Sequence, residues 1–252
     1  FNSSLSFDKT LFYEDITGSI AHVKMLVKCD IISKEDGDKI IEGLQSILQD
    51  IEKGVLKIEG DYEDIHSFIE VNLIERIGDA GKKMHTARSR NDQVALDMRL
   101  YSKKKAHEVV ENLKELLSTI KSVADENDCI MPGYTHMQRA QVVTFKHHMM
   151  AYFSMFKRDK KRIENAIEVM DESPLGCCAL AGTTYNTDRA FTAKELGFRG
   201  VADNFLDGVS DRDYIIELTA AFSLAMMHLS RLSEEIIIWS TKEFDFIQLS
   251  DE

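Results

Sequence analysis

Apolar residues in the second half of the chain recur at alternating steps of three and four. One run is Ala106, Val109, Leu113, Leu116, Ile120 and Val123. A second is Phe145, Met149, Tyr152, Phe156, Ile163 and Met170, with polar Asp159 filling the gap in register. The third and cleanest is Ile215, Leu218, Phe222, Ala225, Leu229, Leu232, Ile236 and Trp239. Three such runs predict long helices crossing at shallow angles in a coiled-coil-like bundle. Further apolar positions such as Val110, Leu117, Ile216 and Met226 widen the stripes. A helix apolar on more than one side is normally buried on more than one side, so the bundle is expected to assemble with other subunits.

The first third predicts shorter helices, around 10–28, 34–53 and 62–77. Ser33 followed by Lys34-Glu35-Asp36 has the form of an N-cap with acids in the first turn, and Gly78-Asp-Ala-Gly81 stops the third helix. Ser210-Asp-Arg-Asp213 has a similar form before the last seam. Strand patterns are scarce: Val55-Leu-Lys-Ile58 could form one short extended piece, and nothing else alternates for long. The chain reads as all-α. Two prolines in 252 residues agree, because few enforced breaks favour uninterrupted helices.

Composition narrows the function classes. Apolar content of 44% and charged content of 29% are those of a globular protein, which sets disorder aside. A formal charge of −12 argues against binding nucleic acid, since a polyanion needs a basic face. A small anionic substrate remains compatible where a local basic cluster opposes that sign. Cys29, Cys129, Cys177 and Cys178 lack the paired C-x-x-C spacing of a zinc site and are expected as buried free thiols in a reducing compartment. No apolar run approaches the roughly 18 residues of a membrane span and there is no signal-peptide pattern, so the expected compartment is the cytosol. No Walker loop, G-x-G-x-x-G or H-E-x-x-H occurs; no cofactor or metal is expected.

Four stretches could carry chemistry. Met131-Pro-Gly-Tyr-Thr-His-Met-Gln-Arg-Ala-Gln141 sets a histidine among hydrogen-bond and anion donors. Pro132 and Gly133 are expected to end one helix and Ala140-Gln141 to open the next. Thr135 and His136 would then stand at a helix entrance, where free N–H groups favour anions. Lys82-Lys-Met-His-Thr-Ala-Arg-Ser-Arg-Asn-Asp-Gln93 concentrates positive charge in an acidic chain. Arg88 and Arg90 suit carboxylates, with Ser89 and Asn91 to orient them. The competing reading is a solvated helix start whose arginines pair with Asp92 or Asp97. Glu63-Asp64-Ile-His66 puts an acid near a histidine: Asp64 could orient an imidazole or a guanidinium, or be a capping acid beside a surface histidine. Ser173-Pro-Leu-Gly-Cys-Cys-Ala-Leu-Ala-Gly182 is a small-residue connector whose Gly176 and Gly182 permit close backbone approach, or a plain linker. His147-His148 reads as helix faces, not a metal pair.

H-T-A-R-S-R-N-D-Q at 85–93 together with G-Y-T-H-x-Q-R-A-Q at 133–141 and the stretch at 210–214 resembles the argininosuccinate lyase family, in the fumarase/aspartase superfamily of all-helical homotetramers. The likeness runs from Phe1-Asn-Ser-Ser4 to Phe244-Asp-Phe-Ile-Gln-Leu-Ser-Asp251. It implies reversible cleavage of argininosuccinate to arginine and fumarate, without a cofactor, at sites assembled from several subunits. By resemblance His136 is the proton-transfer histidine and Thr135 its substrate-contacting neighbour. Ser4, Asn91, Arg90, Ser89 and Gln138 match substrate-binding positions, and Asp64 and His66 a site-lining D-I-H element. Val142 replaces the family's usual proline, and Cys177 and Cys178 its usual small residues. The family's G-S-S-x-M-P-Q-K-K-N-P loop would begin beyond Glu252. The resemblance therefore implies an N-terminal helical domain at 1–88, the first part of a central bundle at 89–252, no C-terminal domain, and negligible activity for this stretch alone. The alternatives are another lyase of the superfamily, such as one acting on adenylosuccinate, or a non-enzymatic crystallin-like relative.

Overall fold

The computed structural model describes residues 3–250, and the chain divides into two compact units. The first comprises 1–104 and 170–212, the second 105–169 and 213–252. The boundary follows spatial packing and differs from the division at 88 suggested by the chain's character. Phe1 and Asn2, where the resemblance begins, lie outside the described residues, as do Asp251 and Glu252.

In the first unit, α1 (Leu5–Asp8) and a 3-10 turn (Lys9–Leu11) lead into α2 (Phe12–Lys28), α3 (Lys34–Glu52) and α4 (Ile65–Ile77). Ser33 caps α3 as expected, its Oγ accepting the Asp36 N–H at 3.1 Å. Gly78, at φ 70°, ends α4, and a 3-10 stretch (Gly78–His85) follows. Ile40, Leu44 and Ile47, spaced four and three apart, put one face of α3 into a core with Ile16, Val23 and Leu26 of α2 and Ile65, Phe68, Ile69 and Leu73 of α4. The first part of α5 (Arg90–Glu126) belongs here, with α7 (Arg189–Glu195) and α8 (Phe205–Ser210). A two-residue parallel pair, β3 (Glu172–Ser173) with β4 (Gly200–Val201), joins them. Residues 55–58 form no strand.

The second unit holds the rest of α5, then α6 (Phe145–Met170) as far as Val169, and α9 (Asp213–Trp239). The buried side of α6 is the expected one: Met149, Tyr152, Phe156 and Ile163. Asp159, the polar member of that series, is fully buried and accepts from His228 Nδ1 of α9 at 2.5 Å. On α5 the buried set is Ala106, Val110, Leu113, Leu117, Ile120 and Ala124, whereas Val109 and Leu116 are half-buried and Val123 exposed. The seam is thus turned by one residue at every other position, because the wide stripe offered two equally apolar registers. Ser210 does not cap α9; it closes α8, its Oγ donating to the Leu206 carbonyl at 2.9 Å.

Two expectations need correction. Residues 130–144 are not a helix stop and restart but an antiparallel hairpin, β1 (Ile130–Thr135) with β2 (Gln138–Thr144). By length and composition α9 is long and apolar enough to cross a membrane, contrary to the expectation that no such run exists. Its Tyr214, Leu218, Ala221, Ala225, Leu232 and Trp239 are nevertheless packed inside the protein, and buried His228 ties it to α6. Ile216, Met226 and Ile237 stay exposed on its other side.

Candidate active site

In the first unit Ser4 is bound to the segment that carries Asp64, and Asp64 binds Arg90. The N–H of Ser4 donates to the Glu63 carbonyl at 2.7 Å and its hydroxyl to Asp8 Oδ2 at 2.5 Å. Asp8 Oδ1 accepts the N–H of Ile65 at 3.2 Å, so the start of the chain is fastened to the D-I-H element. Asp64 is the N-cap of α4, accepting the Ser67 N–H at 2.7 Å, and orients the guanidinium of Arg90, Nη1 to Oδ1 2.5 Å. Burial would raise the Asp64 carboxyl, but the Ser67 hydrogen bonds and the Arg90 and His66 charges hold it below its ordinary range. Ser4, Asp8 and Asp64 line an open pocket of about 370 Å³ together with Thr10, His66 and Tyr101, with apolar walls; Arg90 is not among its lining residues.

His66 is not the surface histidine that its spacing allowed. It is 4% exposed, and its partner is Asp15 of α2, Nδ1 to Oδ1 2.6 Å, with Asp97 Oδ2 of α5 at 3.6 Å. Gly18 makes this convergence possible: a Cβ there would come within 2.7 Å of Leu96 Cδ2, and Asp97 Oδ1 lies 3.6 Å away. Gln93 Nε2 also donates to Asp15 Oδ1, and Arg88 Nη1 to Ser19 Oγ at 3.0 Å. Asp15, His66 and Asp97 offer three atoms within 4.8 Å of one another and could hold a cation.

Burial would raise Asp15, but His66, Arg88 and the Gln93 amide outweigh it and hold the carboxyl low. Asp97 is pushed well up by burial and then by the Asp15 charge.

The loop at 85–93 is anchored, not solvated. Asp92 is fully buried. Its Oδ1 accepts the Ser89 N–H at 2.9 Å and its Oδ2 accepts those of Gly176 and Cys178, each at 2.9 Å. Burial nevertheless raises this carboxyl, against those bonds and Arg88. The connector at 173–182 is therefore more than a linker: Asp92 pins it beside Asn91, whose Nδ2 donates to the Ala179 carbonyl at 3.2 Å. Gly176 is at φ 91°, and a Cβ there would meet Arg189 Cγ at 2.7 Å. His85, half-buried, is brought down to about 4 by burial and by Arg88 and Arg90, and is neutral at pH 7. Cys177 and Cys178 are buried thiols, Cys178 pushed up to about 11 by burial and by Asp92. Cys29 is half-buried and Cys129 exposed, against the expectation of burial.

Thr135, His136 and Gln138 belong to the second unit. Thr135 pairs with Gln138 as the last register of the hairpin, and His136 and Met137 form its two-residue turn at φ 53° and 61°. Two successive positive φ values are the geometry that matches the twist of paired strands. All three predicted residues are exposed, and none stands at a helix entrance. The hairpin was hard to foresee because His-Met lacks the Asn-Gly or Asp-Gly signature of such turns. The Val142-Val143-Thr144 run was the remaining strand signal.

Sequence reasoning singled out neither Asp15 nor Gln93 as functional, and gave Asp92 and Asp97 only as surface partners for arginine. A signal existed: Asp15, Ser19 and His22 fall at steps of four and three beside Leu26, on the buried side of α2. Charge at core positions of an amphipathic helix marks a buried polar site.

Comparison with known proteins fits this geometry. The profile of a family described as lyase matches residues 1–252. An argininosuccinate lyase of Clostridium kluyveri is 71% identical over 252 residues, all of this chain and 58% of that protein. One from Clostridium acetobutylicum is 70% identical over 251 residues, covering 57% of its length. The chain thus spans somewhat over half the length of these relatives. Among solved structures, an EDDS lyase in complex with formate superimposes with a TM-score of 0.87 at 28% identity, over 96% of this chain and 48% of that one. With a family profile matched from its first residue to its last, the chain belongs to the lyase family.

Proposed function

We propose that the protein containing this chain is an argininosuccinate lyase, catalysing the reversible β-elimination of argininosuccinate to arginine and fumarate. The observation that carries the reading is 71% identity to a curated argininosuccinate lyase along the whole of this chain, the stretches at 85–93 and 131–141 included. In the reaction a base takes a proton from the carbon beside a carboxylate of the succinyl group. The bond from the neighbouring carbon to the guanidinium nitrogen then breaks, its electron pair leaving with nitrogen, which an acid protonates. The intermediate is a carboxylate-stabilised dianion, and donors aimed at that developing charge supply much of the rate. His136 is the proton-transfer group on this reading and Thr135 contacts the substrate. Ser4, Ser89, Arg90, Asn91 and Gln138 bind it, beside the wall formed by Asp64 and His66.

The protein acts as a homotetramer whose sites draw on several subunits. Ile216, Met226 and Ile237, exposed on α9, support a further helix packing there. So does a His136 that its own unit leaves open to solvent, since a histidine that moves protons in a dry site needs walls from elsewhere. The cytosol is the compartment we favour, from the free, buried Cys177 and Cys178. Residues 1–88 form the N-terminal domain and 89–252 the first part of the central bundle. The test is ultraviolet detection of fumarate release by the purified full-length protein, with argininosuccinate, adenylosuccinate, malate and aspartate in parallel and light scattering to measure mass. Turnover of argininosuccinate by a tetramer is expected. Preference for another substrate, or no turnover at all, overturns the reading in favour of a sister lyase or a structural relative.

A further inference from the structure

We propose, on the argininosuccinate lyase reading, that the pocket beside Ser4 receives the arginine half of the substrate and that Asp8 is the residue that selects its guanidinium.

The pocket has a one-sided charge. Asp8 and Asp64 line it against walls that include Leu11, Val94 and Met98, and neither lysine nor arginine is among its lining residues. Asp64 is already matched, its Oδ1 holding Arg90 Nη1 at 2.5 Å. The Asp8 carboxylate has no cationic partner among the described residues. Its partners there are the Ser4 hydroxyl, 2.5 Å from Oδ2, and the Ile65 N–H, 3.2 Å from Oδ1. A carboxylate oxygen accepts about two hydrogen bonds, so each still has room for another donor. Ser4 adds to this. A carboxylate only accepts, so the serine spends its hydrogen on Asp8, the Glu63 carbonyl being 3.5 Å away, and its own lone pairs stay open. The Ser4–Asp8 edge of the pocket therefore presents acceptors and a negative charge that no neighbour balances.

That edge suits one half of argininosuccinate and rejects the other. The carboxylates of the succinyl half find no cation among the lining residues, and Asp8 repels them. The arginine half carries a guanidinium and an α-ammonium. Apolar walls favour the guanidinium, which is more weakly hydrated and loses less on leaving water; its planar fork also fits a carboxylate with two parallel N–H bonds. The aliphatic stem of arginine then lies along Leu11, Val94 and Met98. A volume of about 370 Å³ is within the range of small-molecule sites.

Asp8 also fastens the start of the chain to α4, so lost activity alone would not separate selection from that latch. The isosteric Asp8→Asn does: its Oδ1 can still accept the Ile65 N–H and its amide can donate to the Ser4 oxygen, while the charge is gone. The probes are arginine and citrulline, whose neutral ureido group has the shape of a guanidinium and turns an oxygen toward the acid. Calorimetric titration of the full-length unmutated protein is expected to show arginine bound about 10-fold or more tighter than citrulline. In Asp8→Asn the two should differ by less than about 3-fold, with inhibition by fumarate unchanged within the same factor. A variant that keeps the full preference for arginine, or an unmutated protein that shows none, overturns the proposal. So does equal weakening of arginine, citrulline and fumarate, which is the mark of a latch only. A crystal structure of the unmutated full-length protein with arginine needs no variant to fold: the guanidinium is expected within hydrogen-bonding distance of Asp8, and its placement elsewhere overturns the assignment. Cleavage of argininosuccinate is followed in parallel. Its absence sinks the lyase reading, while the arginine titration and crystal structure still decide what Asp8 selects.

Discussion

A single oxygen of Asp64 serves two elements: Oδ1 caps α4 through the Ser67 N–H at 2.7 Å and holds Arg90 Nη1 at 2.5 Å. The helix start and the orientation of the Arg90 guanidinium therefore depend on one carboxylate. The two roles separate by mutation. Asparagine caps helices as well as aspartate does, but offers Arg90 no charge. Asp64→Asn is expected to leave the melting temperature within a few degrees and, on the proposed lyase reading, to raise KM for argininosuccinate in the full-length protein. Asp64→Ala loses the cap as well, about 1 kcal/mol in chemical unfolding.

Acid should destabilise the first unit through His22. The ring is buried, its Nε2 donates to the Thr86 carbonyl at 2.8 Å, and burial and then Arg88 bring it from 6.5 down to about 3. Between those values the unfolded chain binds a proton that the folded state refuses. Stability is therefore complete above pH 6.5 and falls as pH drops toward 3, with a ceiling of about 5 kcal/mol from this residue. His22→Gln can keep the bond to Thr86 and cannot titrate. Urea unfolding from pH 7 to pH 4 should show a shallower decline for the variant; parallel curves would refute the assignment.

Asp159 and His228 form a buried pair that joins α6 to α9, with Arg162 Nη1 on the other Asp159 oxygen at 2.9 Å. Removing one partner strands a polar group in the core, so Asp159→Ala should cost about 3–5 kcal/mol. Replacing both, Asp159→Leu with His228→Leu, should recover much of that loss, since an apolar pair leaves no stranded group. Chemical unfolding of the three variants tests the non-additivity.

Gly176→Ala places a Cβ at φ 91° and within 2.7 Å of Arg189 Cγ. Strain at such a position amounts to about 1–3 kcal/mol. Because Asp92 binds the N–H groups of Gly176 and Cys178, the distortion should reach Asn91. Loss of activity larger than the loss of stability is expected, read from kcat/KM alongside melting.

His136 sits at an exposed hairpin turn, and on the proposed reading His136→Asn removes the proton-transfer group. Its kcat should fall by about 100-fold or more, with the melting temperature unchanged, because no buried contact is lost. A variant retaining most of its kcat would remove His136 from the mechanism.

Local chemistry determined much of this protein directly from its sequence. The helices, the Ser33 cap, the Gly78 stop and the buried line Met149, Tyr152, Phe156, Ile163 are all readable from periodicity, because one turn of helix presents the same face every three or four residues. The motifs at 85–93 and 131–141 were equally legible, since residue type and order carry them. Tertiary structure alone decided three things. It turned the seam of α5 onto Val110 and Leu117, because two apolar registers were locally equivalent and packing chose between them. It made a hairpin of 130–144, where strand pairing satisfies a backbone that no strong local turn signal marks. And it gave His66 to Asp15 and Arg90 to Asp64. Those partners are 51 and 26 residues apart, and only the close approach at Gly18 and the cap of α4 bring their charges within reach.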